Sequence, residues 1–210
     1  MSKGGLAVGI YVFEGVEVLD FAGPFEVLSV TRLEPERRRE SESPFRVSLI
    51  SRTGQPVRAT GGLIVTPNAS IENHSPLDIL IVPGGYGTRR EHLRANVQDW
   101  IREERRRVQL LASVCTGAFL LAAAGALEGL PATTHHAAFD ELLRLYPNTV
   151  LDSQKRFILH DRVATSGGIS AGIDLSLKVV ERFYGLEVAR ATARHMEYPF
   201  PEHDVVPGAR

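Results

Sequence analysis

Cysteine is nearly absent from this chain of 210 residues, which contains it only at Cys115. A single cysteine excludes an internal disulfide framework and every metal site that is built from a cysteine cluster. A chain of this length buries roughly 70% of its unfolded surface, so it needs neither disulfides nor metals to fold. We expect one globular domain over residues 1–198, followed by a proline-containing tail over residues 199–210.

An excess of charge of either sign is also lacking, because 24 basic residues nearly cancel 25 acidic residues to a net charge of −1. The chain therefore has no global positive field of the kind that attracts nucleic acid or an anionic membrane. It contains neither a phosphate-binding P-loop nor a dinucleotide-binding glycine pattern. His135 and His136, which adjoin a predicted strand end, form no metal-ligand spacing with another histidine or acid. We expect a small-molecule substrate, with no nucleic-acid or membrane partner, no metal and no cofactor.

Targeting and membrane-spanning segments are lacking as well. Glu14 interrupts the apolar run near the amino terminus, and no small-residue cleavage pattern follows it. Residues 108–127 carry no charge and are long enough to span a bilayer, but they include Gln109, Ser113 and two glycines. A buried strand followed by a buried helix has the same pattern in a chain otherwise patterned as soluble. We expect a cytoplasmic protein.

Apolar strand patterns alternate with helical patterns along the chain. Strands are predicted at residues 6–13, 45–51, 61–66, 79–82, 108–114, 157–160 and 163–165. Helices are predicted at residues 20–30, 93–108, 116–127, 136–146 and 173–184. This alternation predicts a single doubly wound α/β domain with a mainly parallel central sheet and helices on both faces. In such folds ligands bind beyond the carboxyl ends of the strands, so the strand-to-helix turns are the places to search.

One such turn, at residues 113–117 (SVCTG), follows a buried predicted strand and begins a helix. Small residues at Ser113 and Gly117 flank Cys115, as the sharp, strained turn of a nucleophile elbow requires. The free N–H groups at a helix start stabilise a thiolate, so the position predicts a Cys115 that alkylates near neutral pH. The alternative is that Cys115 is one more small buried residue, which is the usual situation of a free cysteine.

Four other residues at strand exits have a structural and a functional interpretation. Asp20 precedes an apolar-periodic segment, which predicts a helix N-cap there. The functional interpretation places its carboxyl beside the sulfur of Cys115, because both residues follow parallel strands. An apolar setting and a neighbouring thiolate would raise the pKa of Asp20, so that the pair shares a proton and Asp20 acts as general acid. Gly84 and Gly85 could present backbone N–H groups to an anion or oxyanion, although glycines commonly serve only to permit a turn. Residues 168–172 (GISAG) match a hydrolase elbow, but only forty residues follow Ser170, which leaves little room for the other triad members. We expect Ser170 to be a helix N-cap.

Five motifs, in this order, resemble those of the ThiJ/PfpI superfamily, whose fold is that of the class I glutamine amidotransferases. The resemblance extends over most of the chain and implies a flavodoxin/amidotransferase-like domain that forms a homodimer. The motifs are residues 19–24 (LDFAGP), 81–85 (IVPGG), 113–117 (SVCTG), 132–135 (ATTH) and 166–174 (SGGISAGID).

Within the superfamily, the motifs are most similar to those of isonitrile hydratases, which add water to an isonitrile to give an N-substituted formamide. The functional aspartate, cysteine and threonine of that group fall on Asp20, Cys115 and Thr116. The resemblance thus implies a hydratase in which Cys115 forms a covalent thioimidate. His135 belongs to one of the shared motifs and is expected to bind substrate. His136 departs from the pattern, because that group usually has tryptophan after Thr-Thr-His, and this alters the neighbouring pocket.

Other functions of the superfamily stay open. Its protease-like branch has histidine directly after the cysteine, where this chain has Thr116, so peptidase activity is not expected. A glyoxalase or deglycase-like activity, or stress sensing by oxidation of Cys115, would use the same thiol. The sensor domains of AraC-type transcriptional regulators carry the same motifs but continue into a helix-turn-helix domain of roughly a hundred residues. Since this chain ends at Arg210 with prolines, such a regulator is not expected, and a non-catalytic ligand-binding domain is the remaining alternative.

Overall fold

A parallel sheet organises the part of the chain that the computed structural model describes, residues 5–205. Within those residues seven strands pair side by side, and every neighbouring pair is parallel except one antiparallel pair at the edge. In spatial order they are β10 (Phe157–Leu159), β11 (Val163–Ser166), β7 (Leu110–Val114), β6 (Ile79–Val82), β1 (Leu6–Tyr11), β2 (Phe45–Ser51) and β5 (Ala69–Ser70). All residues of β6 and β7 are buried, as continuous apolar runs in a doubly covered sheet predict. The predicted fold class is confirmed.

Helices cover both faces of this sheet. They are α1 (Val18–Val30), α2 (Thr88–Glu91), α3 (Ala95–Arg107), α4 (Ala118–Ala123), α5 (Phe139–Leu145), α6 (Ala171–Tyr184) and α7 (Leu186–His195). Helices α1, α6 and α7 pack together, and α2, α3 and α4 form a second group. The charge-free residues 108–127 become β7, a short turn and α4, and no helix within residues 5–205 is long and apolar enough to cross a bilayer.

Two small strand pairs lie outside the central sheet. β3 (Val57–Arg58) and β4 (Ile64–Val65) are antiparallel. The strand predicted at residues 61–66 is thus only two residues long, because residues 60–62 form a 3₁₀ turn. β8 (Pro131–Ala132) and β9 (Val150–Leu151) are parallel.

The first helix begins earlier than the N-cap prediction for Asp20 requires, and that prediction is wrong. Glu17 is the N-cap, and its side chain accepts a hydrogen bond from the Val18 N–H at 3.2 Å. Asp20 lies in the first turn of α1 and is completely buried, since it faces the sheet edge rather than the open end of the helix. Ser170 does occupy the N-cap position of α6, but its side chain caps no N–H group of the helix. Its hydroxyl accepts instead from the Arg156 guanidinium at 3.0 Å.

The carboxyl-terminal region contains a helix, α7, that the sequence patterns did not predict. Residues 199–205 contain no helix, in agreement with the prolines there. They run against the domain, because the Arg156 N–H donates to the Asp204 carbonyl at 2.6 Å. Pro207 and the rest of the predicted tail after Val205 lie outside the described residues.

Candidate active site

Cys115 lies at a sharp turn between β7 and α4, which confirms the predicted elbow. Its φ is 57°, in the left-handed region that residues other than glycine rarely adopt. A single 3₁₀ turn, Cys115–Gly117, leads into α4. A Cβ atom on Gly117 would lie 2.0 Å from the Val82 carbonyl oxygen, so the small residue predicted there is required by close packing.

Both backbone groups of Cys115 are held by hydrogen bonds. The Cys115 N–H donates to the Gly167 carbonyl at 3.0 Å, and the Thr134 hydroxyl donates to the Cys115 carbonyl at 2.8 Å. Gly167 and Thr134 belong to two of the shared motifs, but the sequence had given neither residue a structural role. These motifs therefore hold the strained elbow in place.

The Asp20 carboxyl lies beside the Cys115 thiol and is completely buried. Oδ2 accepts from the Gly84 N–H at 3.0 Å, and Oδ1 accepts from the Ile169 N–H at 3.1 Å. Burial outweighs these hydrogen bonds and raises the pKa of Asp20 to about 7. This carboxyl can therefore hold a proton near neutral pH.

Burial, followed by the negative charge of Asp20, raises the pKa of Cys115 to about 12. The N–H groups of Thr116 and Ile169 favour the thiolate but do not compensate. Burial therefore opposes the free thiolate that the helix start predicts, and the alkylation of Cys115 near neutral pH stays a prediction. Between these two pKa values the Asp20–Cys115 pair holds one proton, shared between sulfur and carboxyl oxygen.

The glycine turn after β6 supports the Asp20–Cys115 pair from one side. The Gly84 N–H donates to Asp20, and the Gly85 N–H donates to the Thr116 hydroxyl at 3.0 Å. The Thr116 hydroxyl also lies 3.2 Å from the hydroxyl of Thr88, a buried residue that sequence reasoning missed. Both N–H groups expected to bind an oxyanion therefore already have acceptors within the protein. Gly85 has a φ of 128°, which requires glycine.

A cavity of about 330 Å³ opens above the thiol. Of the predicted site residues, Cys115, Thr116, Gly85 and His135 line it, while Asp20 and Gly84 are buried and do not. Its other lining residues were not singled out in the sequence, and they include Glu17, Tyr86, Arg89 and Ile169. Ile169 is next to Ser170 in the motif GISAG, and its φ of 56° makes it a second strained position. The sequence gives no signal for such strain in a β-branched residue.

His135 presents one defined ring nitrogen for donating a hydrogen bond. Its Nδ1 accepts from the Ala137 N–H at 3.2 Å, so the proton of the neutral ring is on Nε2. Burial, together with the charges of His136 and Arg89, lowers the pKa of His135 and keeps the ring neutral at pH 7. His136 stacks on this ring, with centroids 4.4 Å apart, and does not itself line the cavity. His136, which stands where isonitrile hydratases usually have tryptophan, therefore acts on the pocket through His135.

Arg89 is the cation of the cavity wall. Its guanidinium pairs with Glu141 and lies 5.1 Å from the centre of the Phe119 ring. Within residues 5–205, no cluster of three or more histidine, cysteine, aspartate or glutamate side chains could hold a metal ion. The reactive groups of this site are a thiol, a carboxyl with a raised pKa and a neutral imidazole.

Comparison with known proteins gives a family and several relatives. The model of the DJ-1/PfpI family matches residues 7–182. An isonitrile hydratase from Pseudomonas putida is 34% identical over 200 residues, which cover 95% of this chain and 82% of that protein. The HTH-type transcriptional regulator GbdR from Pseudomonas aeruginosa is 27% identical over 192 residues, or 91% of this chain. The chain spans only 50% of that regulator's length.

Solved structures have the same fold. A ThiJ/PfpI family protein from Pseudomonas syringae superposes with a TM-score of 0.80 at 25% identity, covering 95% of this chain and 78% of that one. Drosophila melanogaster DJ-1beta superposes with a TM-score of 0.77 over 93% of this chain and 100% of that one. Its sequence identity is 19%, so this likeness concerns the fold alone.

Proposed function

The chain belongs to the DJ-1/PfpI family, and from this premise we propose that it is a cysteine-dependent hydratase that converts isonitriles to N-substituted formamides. One observation carries the proposal: a carboxyl with a pKa of about 7 lies beside the only thiol, at the base of a cavity. The relative from Pseudomonas putida is named for this reaction. Membership alone does not give the activity, since relatives include an enzyme and transcriptional regulators.

Because the Asp20–Cys115 pair shares one proton, the site can hold a thiolate nucleophile and a carboxylic acid at the same time. When Asp20 holds the proton, the sulfur is a thiolate, and it attacks the terminal carbon of the isonitrile. A carbon–sulfur bond forms, and Asp20 delivers its proton to the same carbon. The carbon has then gained one bond to sulfur and one to hydrogen, which leaves a thioimidate on Cys115 and a carboxylate on Asp20.

Water completes the reaction at the same carbon. Asp20, now a carboxylate, accepts a proton from the attacking water as the oxygen bonds to the thioimidate carbon, and passes this proton on to the nitrogen. The carbon–sulfur bond then breaks, the carbonyl forms, and the remaining proton returns to the Asp20–Cys115 pair. The product is the formamide, and the net change is the addition of one water molecule.

The other cavity residues have supporting roles in this proposal. The neutral His135 ring donates through Nε2 to the substrate nitrogen or to the product oxygen. Thr116 accepts from Gly85 and so fixes the cavity wall beside the thiol. Gly84 holds the Asp20 carboxyl rather than an oxyanion. We also propose a homodimer, on the family resemblance, and sedimentation equilibrium would measure it.

A non-catalytic ligand-binding domain is the second candidate, favoured by the similarity to a regulator over most of this chain. In that case the cavity would bind a small molecule without turnover. Stress sensing by oxidation of Cys115 is a further candidate, and it would use the same thiolate form of the Asp20–Cys115 pair.

Incubation with simple alkyl and aryl isonitriles tests the proposal, with formamide followed by mass spectrometry. In ¹⁸O-labelled water the formamide should gain one heavy oxygen, and acid quenching should trap an adduct on Cys115. Cys115→Ser and Cys115→Ala should bind isonitrile without forming product. Absence of turnover by the wild type, or equal turnover by Cys115→Ala, would show that the proposed hydratase function is wrong.

A further inference from the structure

Ile169 has a backbone conformation that β-branched residues rarely adopt. Its φ of 56° is strained for a β-branched residue, and its side chain is 41% exposed, so burial of that side chain does not hold it there. The result of this conformation is that its N–H reaches Oδ1 of Asp20 at 3.1 Å and faces the sulfur of Cys115. Some other part of the protein must therefore fix the turn.

Arg156 contacts the turn on both sides of Ile169. Its backbone carbonyl accepts from the Gly167 N–H at 2.8 Å, two residues before Ile169. Its guanidinium donates to the Ser170 hydroxyl at 3.0 Å, one residue after, and forms an ion pair with Asp174 in the first turn of α6. The Asp174 side chain is only 6% exposed, so this ion pair is little screened by solvent.

The segment that follows α7 completes this arrangement. The Tyr198 hydroxyl donates to the second carboxylate oxygen of Asp174 at 2.9 Å. The Asp204 carbonyl accepts from the Arg156 N–H at 2.6 Å. The segment after α7 thus fixes the position of Arg156, and Arg156 in turn contacts the residues on both sides of Ile169.

We propose that Arg156, Ser170, Asp174 and Tyr198, which we call the Arg156 cluster, are positioning residues that fix the strained Ile169 turn against Asp20 and Cys115. None of the four lines the cavity, so the cluster acts on the reaction through the Ile169 N–H. This N–H favours the charged forms of both Asp20 and Cys115. The inference rests on the proposed function for turnover, but its effect on the thiol is independent of any substrate.

Two mild substitutions test the cluster, each with a matched control in the same region. Ser170→Ala removes the hydroxyl that Arg156 contacts, and Ser176→Ala removes a buried hydroxyl elsewhere on α6 that donates to the Gly172 carbonyl. Tyr198→Phe removes the contact to Asp174, and Tyr184→Phe removes a hydroxyl that donates to Pro44.

The first readout is the rate of iodoacetamide labelling against pH, which reports Cys115 alone because it is the only cysteine. Loss of one supporting hydrogen bond should slow labelling about threefold to tenfold in Ser170→Ala and Tyr198→Phe. The labelling rate of each control should stay within about twofold of wild type. The ionisation of Asp20 in the profile should move to higher pH, because its carboxylate loses a donor. Two other titratable groups act on the pKa of Asp20, namely the side chains of Cys115 and Glu17, and both are unchanged in these variants.

The second readout is turnover of an aryl isonitrile. The two cluster variants should lower kcat by a similar factor with KM within twofold of wild type, because the cluster does not contact substrate. Arg156→Lys keeps the charge opposite Asp174 and should recover part of the rate lost in Arg156→Met. If the wild type shows no turnover but the cluster variants still change the labelling of Cys115, the proposed hydratase function is wrong and the proposed role of the Arg156 cluster is supported.

A lower melting temperature with unchanged labelling, pH profile and kcat would overturn the proposal, since the cluster would then only stabilise the fold. Equal effects in the cluster variants and their controls would overturn it as well.

Discussion

Ile169 and Asp20, 149 residues apart in the chain, meet in a hydrogen bond of 3.1 Å from the Ile169 N–H to Oδ1 of Asp20. Parallel strands make this possible, because the segments after β1 and β11 both leave the sheet at its carboxyl edge. The same carboxyl accepts from Gly84, which follows β6. Three strand exits therefore converge on one buried acid beside the thiol.

Asp20→Asn should abolish hydration while the protein remains folded. Asparagine fills the same volume but cannot deliver an acidic proton, and loss of general acid–base catalysis costs on the order of 10²–10⁴ in rate. Turnover and circular dichroism of the purified variant check this. Turnover within a few-fold of wild type would show that Asp20 has no catalytic role.

The pH dependence should show the shared proton. With the pKa of Asp20 at about 7 and that of Cys115 at about 12, the pair binds a second proton as the pH falls through 7. Labelling and kcat/KM should therefore fall below about pH 7 and change little up to pH 10. Asp20→Asn should lack the change near 7. A single rise near 8.5, as for an ordinary thiol, would contradict the coupling.

Stability should respond to pH through the same carboxyl. The pKa of Asp20 is raised from 3.8 to about 7 by burial, so the folded protein binds the proton more tightly than the unfolded chain. The stabilisation is present below pH 3.8 and is lost as the pH rises to about 7. The melting temperature of Asp20→Asn, relative to wild type, should therefore increase between pH 4 and pH 7. A constant difference across this range would contradict the raised pKa.

Thr116→Val should damage the site more than Thr116→Ser. Valine has the shape of threonine but leaves the Gly85 N–H without its acceptor, which costs about 1–3 kcal/mol. Serine keeps the hydroxyl, so its free energy of unfolding should be closer to that of wild type. Urea denaturation measures both variants, and equal losses would mean that the hydrogen bond to Gly85 contributes little.

Gly168→Ala should displace His135. A Cβ atom at this position would lie 2.1 Å from Cδ2 of the His135 ring, so the ring must move. In the background of His135→Ala the same change should have little effect on stability, because the clash is gone. A double-mutant cycle by thermal denaturation checks this, and additive effects would contradict the contact.

The sequence determined the sheet class and the position of the nucleophile. The strand Ile79–Val82 lies where its apolar run predicts, because local patterning and burial on both faces agree. The strand Phe45–Ser51 also has its predicted bounds. The elbow at Cys115 was predictable for the same reason, since small flanking residues are a local requirement. Helix α7 was missed because its buried face consists of small residues such as Ala189 and Ala193, whereas the other helices were predicted from large apolar residues.

Only the tertiary structure decided how the site is charged and held. The sequence predicted Asp20 either as a cap or as an acid beside Cys115, and it could not choose between the two. The fold buries the carboxyl beside the thiol and raises its pKa, and this burial depends on residues distant in sequence. The helix start at Cys115 predicts a thiolate, but desolvation and the neighbouring carboxyl outweigh it. Ile169 was overlooked beside Ser170, because the contacts of Arg156 that bracket its turn join segments that meet only in the folded protein. Local patterns determine which elements form, whereas pKa values and backbone strain depend on the long-range contacts that surround each group.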